Sequence, residues 1–218
     1  MKRKKVITLT LVAIALIAII SLAFSFLDQD DCIGRRCLLS HSLAIGHADV
    51  SVGNGYKMRG DKKRVIYANE KKHRLATGIK YYLYAACQIV SPGQCLLRKA
   101  SIPEDWKTHI IENNGADDLF LWLLMLSRGA KFSMNPELIY THVDTGKNVS
   151  GDKLAMLRSD NDVVQQLRQC NVSEQLVEVY ARRIRFLQQL ETGTVPQKLA
   201  ACLKNPDICF CKLYAYYR

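Results

Sequence analysis

The chain has no Cys-x-x-Cys pair, no P-loop glycine run and no His-Glu-x-x-His helix, so the common zinc, nucleotide-hydrolase and metalloprotease signatures are absent. It also has no internal repeat and no low-complexity linker, which excludes solenoids and leaves one domain after the amino-terminal segment. Acidic residues are scarce: 20 Asp and Glu stand against 31 Lys and Arg, giving a net charge of +11 in 218 residues. Such a balance favours phosphates, anionic lipid or acidic polymers as neighbours and says nothing about fold. Apolar residues are plentiful, and 49% hydrophobic with 23% charged content argues for a packed core, against disorder and against collagen-like structure.

Lys2, Arg3, Lys4 and Lys5 precede an uncharged run from Val6 to Leu27, which as a helix would span about 30 Å, the thickness of a bilayer's hydrocarbon. Asp28, Asp30 and Asp31 follow it. The positive excess on the amino-terminal side predicts a single-pass membrane anchor with that end in the cytoplasm and the bulk of the chain outside. A cleavable signal peptide competes, because Ala23-Phe24-Ser25 places small residues in the right relative positions. A buried strand or helix of a folded domain is the third reading of the run. The eight cysteines are even in number but too sparse for a disulfide scaffold, and are read as buried free thiols.

Further along, Ala48 to Tyr56 reads as a short β-rich run closed by Gly53-Asn54-Gly55, with Val65-Ile66-Tyr67 continuing the strand character. The basic stretch from Lys57 to Arg64 between them reads as a solvated hairpin or loop. Asp117 and Asp118 open the apolar segment Leu119 to Leu126, which ends at Ser127-Arg128-Gly129 and predicts a buried helix of about three turns. Lys131 to Met134, a turn at Asn135-Pro136 and Leu138 to Val143 read as strand, turn, strand. Two amphipathic helices follow, capped by Ser150 and Ser173, then a short helix with Pro196 in its first turn that Asn205-Pro206 breaks. Asn148-Val149-Ser150 and Asn171-Val172-Ser173 match the glycosylation acceptor pattern but are read as helix caps.

Three polar spots interrupt this apolar framework. Phe26-Leu27-Asp28-Gln29-Asp30-Asp31 offers alternating carboxylates that can present hard oxygens to Mg²⁺ or Mn²⁺. Asn114-Gly115-Ala116-Asp117-Asp118 puts carboxylates at a helix amino terminus, either as a positioned base for an acceptor hydroxyl or as a plain cap. Tyr140 to Ser150 contains His142, which would complete a metal shell, contact a phosphate or serve as an ordinary structural histidine.

Taken together, the order of these stretches resembles the later part of family 2 glycosyltransferases, especially bacterial enzymes that build surface polysaccharide. Phe26 to Asp31 resembles the family's Asp-x-Asp metal motif, and Ala48 to Tyr56 the strand that follows it. Gln88-Ile89-Val90-Ser91-Pro92-Gly93-Gln94-Cys95-Leu96-Leu97-Arg98-Lys99 is similar to the segment before the acceptor site. Asp117-Asp118-x-x-Leu121-Trp122 stands where the family has Glu-Asp-x-x-Leu-Trp, and His142 to Ser150 is similar to its His-containing loop.

The resemblance implies an α/β fold with a partial GT-A-like sheet and carboxy-terminal helices. It also implies sugar transfer from a nucleotide-sugar donor to a hydroxyl of a glycan or lipid-linked acceptor, with Mg²⁺ or Mn²⁺ as cofactor. By motif position Asp28, Asp30 and His142 would serve the donor diphosphate, with Asp30 on the metal. Asp118 would be the catalytic base, and Asp117 and Trp122 would belong to the acceptor region. No nucleic-acid partner is expected.

Residues that in the family hold the nucleobase and ribose, including an Asn-Asp-Gly-Ser-like turn, have no match in this sequence, and the basic and apolar segment stands in their place. The expected organisation is therefore a membrane segment over residues 1–27, an incomplete glycosyltransferase-like region over 28–150 and a helical region over 151–218. Ser21 to Leu27 is claimed both as a membrane exit and as a central strand. Because in bacteria nucleotide sugars are normally absent outside the membrane, the charge-predicted topology conflicts with turnover. A truncated, inactive member of the family reconciles the two. The alternative is a membrane-anchored extracytoplasmic binding protein that uses the fold as a scaffold, and a third reading is a chain completed in trans by a partner.

Overall fold

The computed structural model describes residues 23–28, 30–113, 115–146 and 151–217. Its centre is a mixed sheet in which strands β1 (Ala23–Phe24), β5 (Cys95–Arg98), β3 (Val50–Arg59), β6 (Phe132–Val143) and β2 (Cys32–Ile33) lie side by side in that order. Strand β4 (Lys62–Val65) pairs with the far half of β3, so the basic stretch forms a hairpin. Among the described residues only the β3–β6 pairing is parallel; β1, β2, β4 and β5 all join antiparallel.

Along β3 successive side chains alternate between faces. Val50 and Val52 enter the main core, while the Ser51 hydroxyl lies 2.9 Å from Nδ1 of His41 on helix α1 (Cys37–Ile45). Burial holds His41 well below the ordinary histidine range, to about 4, so it is neutral at pH 7. On the opposite face lies α5 (Asp117–Ser127), in which every residue from Leu119 to Met125 is buried. A helix apolar all round belongs inside a domain, and α5 is the pillar of this one. Short helix α2 (Glu70–Arg74) packs against β6, and the short helices α3 (Ile79–Tyr84) and α4 (Glu104–Thr108) flank α5. Then α6 (Lys153–Gln169) and α7 (Glu174–Thr192) lay Val163, Leu167, Val177 and Ile184 into the same core. Helices α8 (Val195–Lys204) and α9 (Pro206–Tyr217) close the chain.

Several expectations are corrected by this arrangement. The predicted membrane segment falls mostly on residues 1–22, outside the described residues. Among the described residues no helix is long and apolar enough to cross a membrane. The part of the run that is described belongs to the sheet: Ala23 and Phe24 pair with Arg98 and Leu97, and Phe26 packs edge-on against Trp106 at 5.6 Å. Edge-strand hydrogen bonds and core contacts have taken the residues that an anchored reading needed for its membrane exit.

Gly53-Asn54-Gly55 does not close a strand, because β3 runs through it to Arg59. Nor does Asn135-Pro136 make a turn. β6 is continuous over twelve residues and absorbs the proline in a bulge, where the register slips from Gly53 opposite Asn135 to Asn54 opposite Leu138 and Gly55 opposite Tyr140. Gly55 is required there, since a Cβ on it would sit 2.0 Å from the Tyr140 carbonyl oxygen. Ser150 lies outside the described residues, and α6 is capped by Asp152, whose carboxylate accepts from Leu154 and Ala155 N–H at 3.0 Å each. Asn205-Pro206 ends one helix but begins another, α9, with the proline in its first turn. None of the eight cysteines is in a disulfide.

Candidate active site

The acidic segment runs from β1 at one edge of the sheet to β2 at the other, passing the end where β6 finishes. Its carboxylates meet different fates. Asp28 is exposed and accepts the Ser91 hydroxyl at 2.9 Å. Asp30 is exposed and makes no hydrogen bond or ion pair with any other described residue. Asp31, which the sequence reading did not single out, is buried and fully engaged. One of its oxygens takes the Tyr140 hydroxyl, and the other takes the Val143 N–H at 3.0 Å. His142 Nδ1 stands 3.1 Å from that second oxygen but is not aligned for a hydrogen bond.

Asp31 therefore fastens the segment to the end of β6 and holds His142 beside it. The bulge in β6 matters here. It resets the register just before Tyr140, and the Tyr140 ring and Phe26 carbonyl then close on Gly93, where a Cβ would meet them at 3.2 and 2.8 Å.

Beneath the segment lies a floor of buried polar groups that patterning could not foresee. Asn54 uses its amide like a strand neighbour, accepting from Tyr67 N–H at 3.0 Å and Gly55 N–H at 2.8 Å while donating to the Tyr67 carbonyl at 3.0 Å. Gln94 donates to the Gly53 carbonyl at 3.0 Å and the Tyr67 hydroxyl at 3.1 Å, and accepts from Val90 N–H at 2.7 Å. With these groups satisfied, the 88–94 stretch is rigid and sets the Ser91 hydroxyl under Asp28.

Asp118 enters from α5. Its carboxylate accepts the Leu119 N–H at 2.6 Å and sits deep, with part of its surface still open to solvent. Burial raises its pKa to about 7, helped by the negative charges of Asp117 and Asp28. A helix amino terminus favours the anion by about 1 kcal/mol, whereas a rise from the ordinary value of about 3.9 to 7 amounts to ~4 kcal/mol, so desolvation wins. Asp117 is exposed, and its carbonyl accepts the Trp106 indole N–H at 3.0 Å. Beside it opens a cleft of about 330 Å³ bounded by Trp106, His109 and Phe120. Trp122, one turn beyond Asp118, is fully buried with its ring edge-on to Phe132 at 5.9 Å, and its indole N–H has no hydrogen-bond partner.

The structure thus brings Asp28 within electrostatic reach of Asp118 and gathers Ser91, Tyr140, Asp31 and His142 around the acidic segment. Asp28, Asp30, Asp31 and His142 do not converge into a group of three or more atoms within metal-ligand distance of one another; among the described residues Asp105, His109 and Cys170 do.

No family model matches the chain, and no curated protein matches it. Among solved structures it is similar to Staphylococcus aureus TarS residues 1–349, at 15% identity and a TM-score of 0.47, over 82% of this chain and 53% of that one. The chain thus spans about half the length of that neighbour. A likeness this loose carries no argument for fold or function, and both are argued from the residues themselves.

Proposed function

We propose that this chain carries the diphosphate and acceptor side of a glycosyl-transfer site, with Asp118 as the base. The observation that carries the reading is Asp118: a carboxyl raised to about 7 by burial, at the start of a rigid buried helix and within electrostatic reach of Asp28. A base works best with a pKa near the operating pH, and burial tunes this aspartate into that range. The order of motifs along the sequence supports the same reading.

In the reaction Asp118 takes the proton of an acceptor hydroxyl. That oxygen bonds to the anomeric carbon of the donor, and the bond from that carbon to the diphosphate breaks, so the nucleoside diphosphate leaves with the electron pair. A divalent cation, when bound, offsets the charge of the leaving diphosphate. Mg²⁺ is commonly held by one or two carboxylates plus substrate phosphates, and the donor set fits that mode: among the described residues Asp30 is unengaged, and Asp28 has committed only one oxygen. Asp31 has no oxygen to spare and is assigned to positioning His142 towards the diphosphate.

Calorimetric titration of the full chain with uridine diphosphate and other nucleoside diphosphates, with Mn²⁺ and then with chelator, tests this. Metal-dependent binding is expected, weakened at least tenfold by Asp30→Ala and unchanged by Asp118→Asn. An affinity indifferent to both chelator and Asp30→Ala would refute the donor-side assignment. Where turnover is measurable, Asp118→Asn should abolish it, and the wild-type rate should rise to a plateau above pH 7.

A further inference from the structure

Away from the acidic segment, Asp105 on α4, His109 just past its end and Cys170 just past the end of α6 bring one carboxylate oxygen, one imidazole nitrogen and one sulfur within 4.8 Å of one another. Asp105 and His109 are four residues apart, the spacing that puts two side chains on one side of a helical turn. First-sphere ligands of tetrahedral zinc, at about 2.3 Å for sulfur and 2.0 Å for nitrogen, are about 3.5 Å apart, so the three need to close by little more than 1 Å.

Their surroundings are those of a ligand set. His109 Nδ1 lies 2.9 Å from the Asp105 carbonyl oxygen and 3.2 Å from the Thr108 hydroxyl; the carbonyl, which can only accept, favours the proton on Nδ1 and so leaves Nε2 as the nitrogen with a lone pair for a ligand. Arg128 donates to Asp105 Oδ2 and, at 3.3 Å, to the carbonyl of Cys170 itself, so one guanidinium aligns the carboxylate and the cysteine backbone. A hydrogen bond from a ligand's second polar atom to a backbone carbonyl or a charged group is how proteins orient metal ligands.

We infer that Asp105, His109 and Cys170 form a site for a zinc-class divalent cation, with water as the fourth ligand. Carboxylate, imidazole and thiolate together select zinc or cobalt over magnesium or calcium. On binding, the Cys170 thiol releases its proton to solvent and the sulfur bonds the metal. The ion ties α4 to the end of α6, beside the Trp106 indole that bonds the Asp117 carbonyl at the start of α5. It shares no ligand with the proposed donor site, and the two stand or fall separately.

Co²⁺ titration of the reduced full chain, followed by optical absorption, tests the site. A near-ultraviolet thiolate-to-cobalt band saturating at one equivalent, displaced by Zn²⁺, is expected. His109→Gln, at a half-exposed position, should weaken Co²⁺ binding at least tenfold, and Cys170→Ser should remove the band. Circular dichroism confirms that each variant is folded. Should Cys170→Ser fail to fold, His109→Gln decides alone. The site is refuted if wild type gives no thiolate band or if the band persists at full affinity in His109→Gln. A band that survives Cys170→Ser also refutes it, since another cysteine is then the ligand. The donor-side carboxylates contain no sulfur and produce no such band, so either outcome leaves the metal-dependence of nucleotide binding as a separate question.

Discussion

Replacing Asp118 with asparagine should make the protein more stable above neutral pH and leave it unchanged near pH 4. The folded carboxyl titrates near 7, against about 3.9 in an unfolded chain. Between those values the folded chain holds a proton that the unfolded chain has already released. Stability therefore falls by ~1.4 kcal/mol per pH unit across the window, and the cost is complete above pH 7. Three pH units give an upper bound of ~4 kcal/mol. The carboxylate keeps some contact with water, which reduces the figure to about 2 kcal/mol. Asparagine removes the charge but keeps an oxygen for the Leu119 N–H, so the local hydrogen bond survives.

The wild type alone would hide the effect. His41, held to about 4 by burial, costs stability as pH falls from about 6.5 towards 4, opposite in sign over nearly the same window, and His73, also lowered by burial, acts in the same direction as His41. The difference between variant and wild type cancels the histidines. Guanidinium unfolding at half-unit steps from pH 4 to pH 8.5 is the assay. The gain should grow from nothing to about 2 kcal/mol and flatten above pH 7, a rise of about 4–8 °C in midpoint temperature for a domain of this size. A gain independent of pH, or a variant less stable than wild type at pH 8, refutes the claim that Asp118 is a strained, desolvated carboxyl.

Other substitutions probe the scaffold of the site. Asp31→Ala orphans the Tyr140 hydroxyl and the Val143 N–H and should cost about 2–4 kcal/mol in urea unfolding; a loss under 0.5 kcal/mol would show that the clasp on β6 is not formed. Gly55→Ala drives a methyl into the Tyr140 carbonyl and should cost at least about 3 kcal/mol or prevent folding, which soluble yield and thermal midpoint will report; a near-neutral effect contradicts the bulge. Asp160 is buried, takes the Tyr180 hydroxyl at 2.6 Å and lies 3.9 Å from Arg183, itself bonded to the Tyr82 carbonyl at 3.1 Å. Asp160→Ala leaves a buried guanidinium without its counter-charge and should lose about 3–5 kcal/mol, and it should do so more than the double variant Asp160→Ala with Arg183→Met.

Local patterning made α5 readable, because an unbroken apolar run between two aspartates and Arg128-Gly129 has one good solution inside a domain: a buried helix that starts and stops there. It made α6 and α7 readable from one apolar face each, and α8 from Pro196 and Asn205-Pro206. It misread β6, since Asn-Pro ordinarily signals a turn, and only the slip in register against Gly53-Asn54-Gly55 allows the proline to stay within the strand. Among the acidic residues, the motif order pointed to Asp28 and Asp30, yet nothing local distinguishes them from Asp31.

Composition and periodicity by themselves settled that a core forms, that α5, α6 and α7 face it, and that carboxylates stand at the start of α5 and after the first apolar run, for these follow from side-chain type and spacing. Which carboxyl is buried, which is exposed and which is pushed to about 7 depended on what the rest of the chain packs around each one. The same holds for the end of the hydrophobic run, where a strand partner at Leu97 and Arg98 and a ring contact at Trp106 drew residues 23–26 into the sheet. Apolarity measures what a segment avoids, and only its tertiary neighbours decide what shields it from water.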